Sequence, residues 1–386
     1  MVRLARLGQA LGPRFGFDAA VVSRAYEGEL RALDPWVCSA PGLHYVPEHL
    51  ARRQGPGRVL TATWGEYLGD LGFDRVERIR DVVGWWRRTL LERGTALLVA
   101  DYAPLAQLAA RSLGIACVVT SQGYGLPPAH LPTFPAVHPE ASARLHDEAR
   151  LLDNVNQVAR DIGLPPLAGL PEVHRADLSL VHTFGFLDPY RSWRHERCLP
   201  PVNDYSSVLA SDGDEVFVYF STEELDRPGV LEALERLRLP RRGVLLRATP
   251  EMRARLAASG MVVETAPVPV DLIARRSRLL LHAGQHGMLS VGLLAGLPQV
   301  ALPQNLEQLF HAQRAEAAGV ARVVIAKEDV EQRLADAVSA MYGDASARES
   351  AGRMAASLRA DLDATPRELL ARAVLPLAEQ VLSGSR

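Results

Sequence analysis

The residues predict an α/β protein built on two doubly wound parallel sheets. Three observations carry that expectation. Short apolar runs alternate with amphipathic stretches along most of the chain, with glycine or proline at many of the joins. The 386 residues exceed what one core usually holds and suit two domains. Residues 187–214 show little periodicity and carry Pro189, Pro200, Pro201, Asp212 and Gly213, the composition of an interdomain linker. The expected domains are 1–200 and 201–365, followed by a closing segment 366–386.

Bulk properties exclude several classes. Lys and Arg number 43 against 45 Asp and Glu, with a sequence pI near 6.6. No strong field favours nucleic acid or an anionic membrane. Cys38, Cys117 and Cys198 lie far apart with no pairing or metal spacing, which points to a reducing, cytoplasmic setting. No apolar run reaches the length of a transmembrane segment. The arginines of the first twelve residues interrupt any signal-peptide core, and a homodimer is compatible with this composition.

In the first half, Leu4, Leu7 and Leu11 recur at helical spacing and predict an amphipathic N-terminal helix. A strand is expected at 17–22 and an extended piece at 43–46, then a loop containing proline and glycine up to residue 58. Residues 74–93 read as a long helix with Val76, Ile79, Val82 and Val83 on one side. The run at 96–101 reads as a buried strand ending in Asp101, followed by a helix at 105–113 that Gly114 stops, and a strand at 115–120. A proline-rich loop at 126–139, a long or broken helix at 138–163 and a strand at 178–183 complete this half.

The second half continues the alternation. Strands are expected at 216–220, 243–247 and 261–264, with helices between, and later a helix at 309–318, a strand at 321–325 and two further helices. The most informative stretch is 279–308. Leu279, Leu280 and Leu281 form a buried strand. His282, Gly284 and Gly287 follow within six residues, then an apolar helix at 288–294, a stop at Ala295-Gly296-Leu297-Pro298, a short strand at 300–302 and Pro303. Strand, glycine-bearing turn, helix and strand make a βαβ unit, whose ligands sit where the turn meets the helix N-terminus. That terminus suits a phosphate, and the two glycines remove side chains that would hold it off. His282 and His286 would have zinc spacing on a helix, but the intervening glycine argues for a turn, so no metal is expected.

The series His282, Gly284, Gly287, Ala295-Gly296-Leu297-Pro298, Pro303 and Glu307-Gln308 resembles the donor-binding signature of nucleotide-sugar-dependent glycosyltransferases of the GT-B fold. It is similar in particular to the bacterial antibiotic and macrolide glycosyltransferases, relatives of the UDP-glycosyltransferases. Gln285, Met288 and Val291 depart from that pattern, where a second glycine, a Thr or Ser and an acid are usual. The resemblance implies two Rossmann-like domains facing across a cleft, and a last helix that returns to the first domain. It implies an inverting, metal-independent transfer of a hexose-type sugar from a UDP or dTDP donor to a hydroxyl of a small-molecule or lipid acceptor, with no cofactor beyond that co-substrate. His282, Gly284 and Gly287 would hold the diphosphate, Thr222 would touch it through its hydroxyl, Val268 would border the base, and Glu307 and Gln308 would bind the sugar. For Thr222 a helix-capping role, and for Glu307 and Gln308 a plain surface position, remain alternatives.

In the first domain, 97–119 is similar to the stretch whose aspartate orients a catalytic histidine, which would give Asp101 that role; capping the next helix is the alternative. Trp64, Tyr67, Trp85 and Trp86 have faces suited to an apolar or sugar-bearing acceptor, and Tyr124 follows a strand end that borders it. Each is equally a core residue. The resemblance also places a first strand and a Gly-His loop at or before Met1, so the first domain reads as lacking that strand. Two explanations stand, a start upstream of the recorded one or a true loss. Two other functions stand beside transfer: a GT-B-like protein that binds nucleotide sugar without catalysis, and a nucleotide-sugar epimerase.

Overall fold

Leu7 and Leu11 lie one helical turn apart, and the structure, a computed structural model, buries both on α1 (Val2–Leu11). Residues 2–54, 59–138, 143–202, 208–210, 212–325 and 329–384 are described. They fall into two units, Met1–Val202 with Pro366–Arg386, and Asn203–Thr365. Among the described residues no helix is long and apolar enough to cross a membrane.

The first unit continues with β1 (Asp18–Val21), a 3-10 helix (Arg24–Leu33) and β2 (Trp36–Ser39), then α2 (Pro47–Arg52) and α3 (Trp64–Leu68). The expected extended piece at 43–46 is irregular, and the second strand is instead β2, which forms because it pairs in parallel with β1. Its four residues are half-buried or exposed, so no apolar pattern marks them. Part of the loop expected before residue 58 is α2, whose Pro47 fits the first helical turn; residues 55–58 lie outside the described residues.

A buried charge cluster holds α3. Arg53 donates to Glu66 at 2.7 Å and to Asp70 at 2.8 Å, and Glu66 also accepts from the backbone N–H groups of Leu145 and His146. Next come α4 (Val76–Glu92), β3 (Leu97–Ala100), α5 (Pro104–Ser112), β4 (Ala116–Ser121), α6 (Glu148–Asp161) and β5 (Leu178–Val181). Ile79, Val83, Leu105, Leu108, Leu151 and Val155 pack between these helices and the sheet. Asp147 accepts from the N–H of Ala149 and starts α6 well inside the helix expected at 138–163; residues 139–142 lie outside the described residues.

The first unit contains two parallel sheets, β1-β2 and β3-β4-β5. A cavity of about 410 Å³ separates β1 from β3, lined by both strands and by Leu7, Phe17, Leu33 and Trp86. Each of the two strands therefore has one edge facing the cavity. The segment expected as a linker is packed as far as residue 202: Tyr190 is buried, and Asp188 and Arg194 form a buried ion pair beside it. A charge pair carries no periodicity, which is why the segment read as loose. Residues 203–207 and 211 lie outside the described residues.

The second unit comprises β6 (Glu215–Phe220), α7 (Val230–Arg236), β7 (Arg241–Leu245), α8 (Pro250–Ala258), β8 (Met261–Glu264), α9 (Val270–Arg276), β9 (Ser277–His282), α10 (His286–Ala295), β10 (Gln299–Ala301), α11 (Leu306–Ala317), β11 (Ala321–Val323), α12 (Val330–Gly343) and α13 (Ala345–Ala360). Its strands form one parallel sheet in the order β11-β10-β9-β6-β7-β8. Leu279, Leu281, Val216 and Val218 are fully buried at its centre, as continuous apolar strands covered on both faces require. Three helices rather than two close the chain, because Asp344 ends α12 and caps α13 through the N–H of Ala347. The third, α14 (Pro366–Leu382), belongs to the first unit and packs on α1 through Leu370, Val374 and Ala378.

The open edges have a measurable consequence. In hydrogen exchange, amides of β1 and β3 that point away from β2 and β4 should exchange roughly 100-fold or more faster than those of β4, which is paired on both sides. Equal protection across β1, β3 and β4 would contradict the two-sheet arrangement.

Candidate functional site

Strand order in the second unit reverses at β6. The chain leaves β6 toward β7 and β8, then returns to β9 on the other side. The carboxyl ends of β6 and β9 therefore form a topological switch point, the place where open α/β sheets bind ligands.

The β6 loop supplies Ser221, Thr222 and Glu224. Thr222 is exposed and Glu224 fully buried. The Thr222 N–H donates to the Glu224 carboxylate at 2.7 Å and the Thr222 hydroxyl to its other oxygen at 3.1 Å. Thr222 thus binds Glu224 within its own loop, and no N–H of the helix after Pro228 donates to its hydroxyl among these bonds.

The turn after β9 is organised by His282. The ring was expected to face an anion, but it is fully buried, on a residue whose strand neighbours are Tyr219 of β6 and Ala301 of β10. Its Nδ1 accepts from the Gly284 N–H at 2.8 Å, so Nε2 carries the proton and donates to Gln299 Oε1 at 2.8 Å. Burial lowers its pKa to about 4, against a weaker opposing effect of Gln299. The neutral ring fixes the turn and offers no charge to a ligand.

Gly284 has φ +89°, and a Cβ there would stand 2.6 Å from the Gln308 carbonyl oxygen. Its missing side chain lets the turn pack on α11. Gly287 is different: a Cβ there would meet nothing within 4 Å, and the residue is exposed on the first turn of α10. That turn carries the positive end of a ten-residue helix, open to solvent at this point. Gln285 ties the two loops together. Its Oε1 accepts from the Ala283 N–H at 3.0 Å, and its Nε2 donates to Ser221 Oγ at 3.0 Å and to Glu224 at 3.2 Å.

The loop after β10 borders the same turn. Asn305 caps α11 by accepting from the Gln308 N–H at 2.9 Å, and Gln308 Oε1 accepts from the Gln304 N–H at 2.8 Å. Gln308 is buried with its oxygen engaged on the backbone, while Glu307 is half-buried on the first turn of the helix. One turn further, His311 lies edge-to-face with His286 at 5.2 Å, joining α11 to α10. Burial lowers the His311 pKa to about 3. Val268 lies in the loop before α9 and packs, with Met288 of α10, against Phe217, Ile273 and Leu280.

The candidates of the first unit separate. Asp101, at the end of β3, is held by Arg3 through two hydrogen bonds of 3.1 and 3.0 Å and is almost fully buried. Among the described residues no hydrogen bond joins it to a histidine or to the N-terminus of the next helix. Trp64 and Tyr124 border the same core cluster. The Trp64 ring lies 6.0 Å from Tyr102 and 6.0 Å from His174. The Trp64 indole N–H and His174 Nε2 have no hydrogen-bond partner among the described residues. Trp85 stands apart from that group, edge-to-face on Trp86 at 5.0 Å along α4.

Sequence reading missed Glu224, His311 and Arg3 as members of these sites. Glu224 and Arg3 act through hydrogen bonds that no apolar spacing encodes. His311 follows Glu307 by four residues, a helical repeat that would have placed it on the same face.

Residues 250–375 match the family described as Erythromycin biosynthesis protein CIII-like, C-terminal domain. UDP-glucuronosyltransferase 1A4 of Oryctolagus cuniculus is 27% identical over 175 residues, which is 44% of this chain and 32% of that protein. The matched region is thus about a third of that curated relative's length. Among solved structures, the calicheamicin glycosyltransferase CalG4 matches with a TM-score of 0.70 at 15% identity, covering 99% of this chain and 94% of that one. The spinosyn rhamnosyltransferase SpnG matches with a TM-score of 0.63 at 17% identity, covering 98% and 95%. It has also been solved with thymidine diphosphate and with spinosyn aglycone. The chain has the fold of the GT-B glycosyltransferases.

The neutral, buried state of His282 makes stability depend on pH. The unfolded ring takes a proton near pH 6.5 and the folded ring only near 4, so this contribution is whole above 6.5 and is lost as pH falls toward 4. From pH 7 to pH 5 this one ring should cost on the order of 2 kcal/mol of unfolding free energy. Urea titrations of His282→Asn should show a shallower pH slope across that window, and an unchanged slope would contradict the assignment.

Proposed function

We propose that this chain is a glycosyltransferase that moves a hexose-type sugar from a UDP or dTDP donor to a hydroxyl of a small-molecule or lipid acceptor, with inversion and without a metal. The observation that carries the reading is the switch point between β6 and β9, where the exposed residue Thr222 and the solvent-open first turn of α10 follow the carboxyl ends of the two strands. Neutral donors and a helix end at such a place suit a diphosphate. The same groups favour the charge that develops on the departing nucleotide.

In this reading Thr222 and the backbone at Gly287 contact the diphosphate, while His282 and Gly284 hold the turn in shape from behind. Val268 borders the base. Glu307 accepts from hydroxyls of the sugar, and Gln308 offers its amide N–H groups, its oxygen being engaged by Gln304. The acceptor oxygen attacks the anomeric carbon as the bond to the diphosphate oxygen breaks. The acceptor's proton passes to the histidine base that the resemblance implies, which Asp101 would orient, and the aromatic faces of Trp64 and Tyr124 bind the acceptor's apolar part. The solved relative that holds thymidine diphosphate supports the donor class.

A second reading, nucleotide-sugar binding without transfer, is favoured by the two hydrogen bonds through which Arg3 engages Asp101. Product formation separates the two. Incubation with dTDP- and UDP-sugars and a panel of hydroxylated aglycones should yield glycoside, whereas donor binding with no glycoside or free sugar from any pair favours the second reading.

Calorimetry tests the residue roles. Removing one hydrogen bond to the sugar costs about 1 kcal/mol, so Glu307→Ala should weaken nucleotide-sugar binding roughly five- to ten-fold while leaving the nucleoside diphosphate unaffected. Thr222→Val should weaken both ligands. Equal affinities in wild type and both variants would place the donor elsewhere.

A further inference from the structure

Glu224 has no part in the chemistry proposed above, yet it links the β6 loop to the turn after β9. Its carboxylate is fully buried, and its partners are neutral donors: the Ser221 N–H at 3.4 Å, the Thr222 N–H at 2.7 Å, the Thr222 hydroxyl at 3.1 Å and the Gln285 amide at 3.2 Å. No ion pair balances it among the described residues. Burying a carboxylate without a counter-charge is costly unless hydrogen bonds satisfy it, and here four donors do so.

Those donors do not come from one local cap. Three belong to the β6 loop, and the fourth arrives from the turn after β9, 61 residues further along the chain. Backbone N–H groups, a hydroxyl and an amide converging on two oxygens are also what a phosphate group requires. Thr222 is exposed as a residue, while its N–H and hydroxyl are both turned onto the buried carboxylate. Glu224 itself begins a single 3-10 turn, Glu224–Asp226, a short element that can rearrange locally.

We propose that Glu224 is a built-in competitor for the donor's phosphate. Its carboxylate fills the subsite that a phosphate group of the nucleotide sugar must enter, and the donor seats as Glu224 swings out and frees the Thr222 and Gln285 donors. Two anions cannot share the subsite, so Glu224 sets donor affinity and speeds release of the nucleotide product. This inference rests on the reading of the crevice as the diphosphate site.

The test uses the full chain as wild type, Glu224→Gln and Glu224→Ala, each titrated calorimetrically with dTDP, UDP and inorganic pyrophosphate. Relief of like-charge opposition should tighten nucleotide and pyrophosphate binding by about ten-fold or more in both variants. Pyrophosphate should also raise the Tm of the variants more than that of wild type. Binding by folded variants that equals or falls below wild type overturns the role of Glu224 and leaves the diphosphate reading in place. No binding by any of the three forms overturns both. If Glu224→Gln folds poorly, Glu224→Ala decides the question. If neither variant folds, the carboxylate is a structural cap and the proposal fails.

Discussion

The reversal of strand order at β6 is the constraint on which the second unit's chemistry depends. A parallel sheet extended in one direction would send every crossover the same way and close each loop against the next. Here the chain leaves β6 to one side and comes back on the other, so two loops part at the carboxyl ends of β6 and β9. The crevice is thus a product of connectivity before any side chain is chosen. The residues around it then settle how its backbone groups are used.

Much of that polarity is satisfied internally. His282 accepts from Gly284, Gln285 accepts from Ala283, Gln308 accepts from Gln304, and Glu224 gathers the donors of the β6 loop. Each of these side chains does for the backbone what a bound ligand would do at a more open site. What stays directed to solvent is the first turn of α10 at Gly287. Such self-satisfaction gives partners to these buried backbone N–H groups, which would otherwise be costly to leave unpaired.

The fold was largely legible in the residues because apolar strands and amphipathic helices leave periodic marks. Leu279, Leu280 and Leu281 announced the central strand, and the spacing of Leu4, Leu7 and Leu11 announced α1. Where tertiary pairing decides, the marks vanish: β2 exists because β1 lies beside it, and the 187–202 segment is ordered by Asp188, Tyr190 and Arg194. At the site, sequence found the turn but not its internal economy. A histidine after a strand looks the same whether its ring meets a phosphate or a glutamine. Only the depth of His282 and the reach of Gln299 separate the two. Likewise Asp101 was located by its strand, while its partner Arg3, 98 residues away, was not.

The most direct test of the account is a crystal structure of the full chain with dTDP or UDP bound. The account predicts a phosphate oxygen within hydrogen-bond reach of the Thr222 hydroxyl, beside the first turn of α10, with His282 still buried behind the turn. A diphosphate seated elsewhere, with the β6 and β9 loops and the Glu224 hydrogen bonds unchanged, would contradict it.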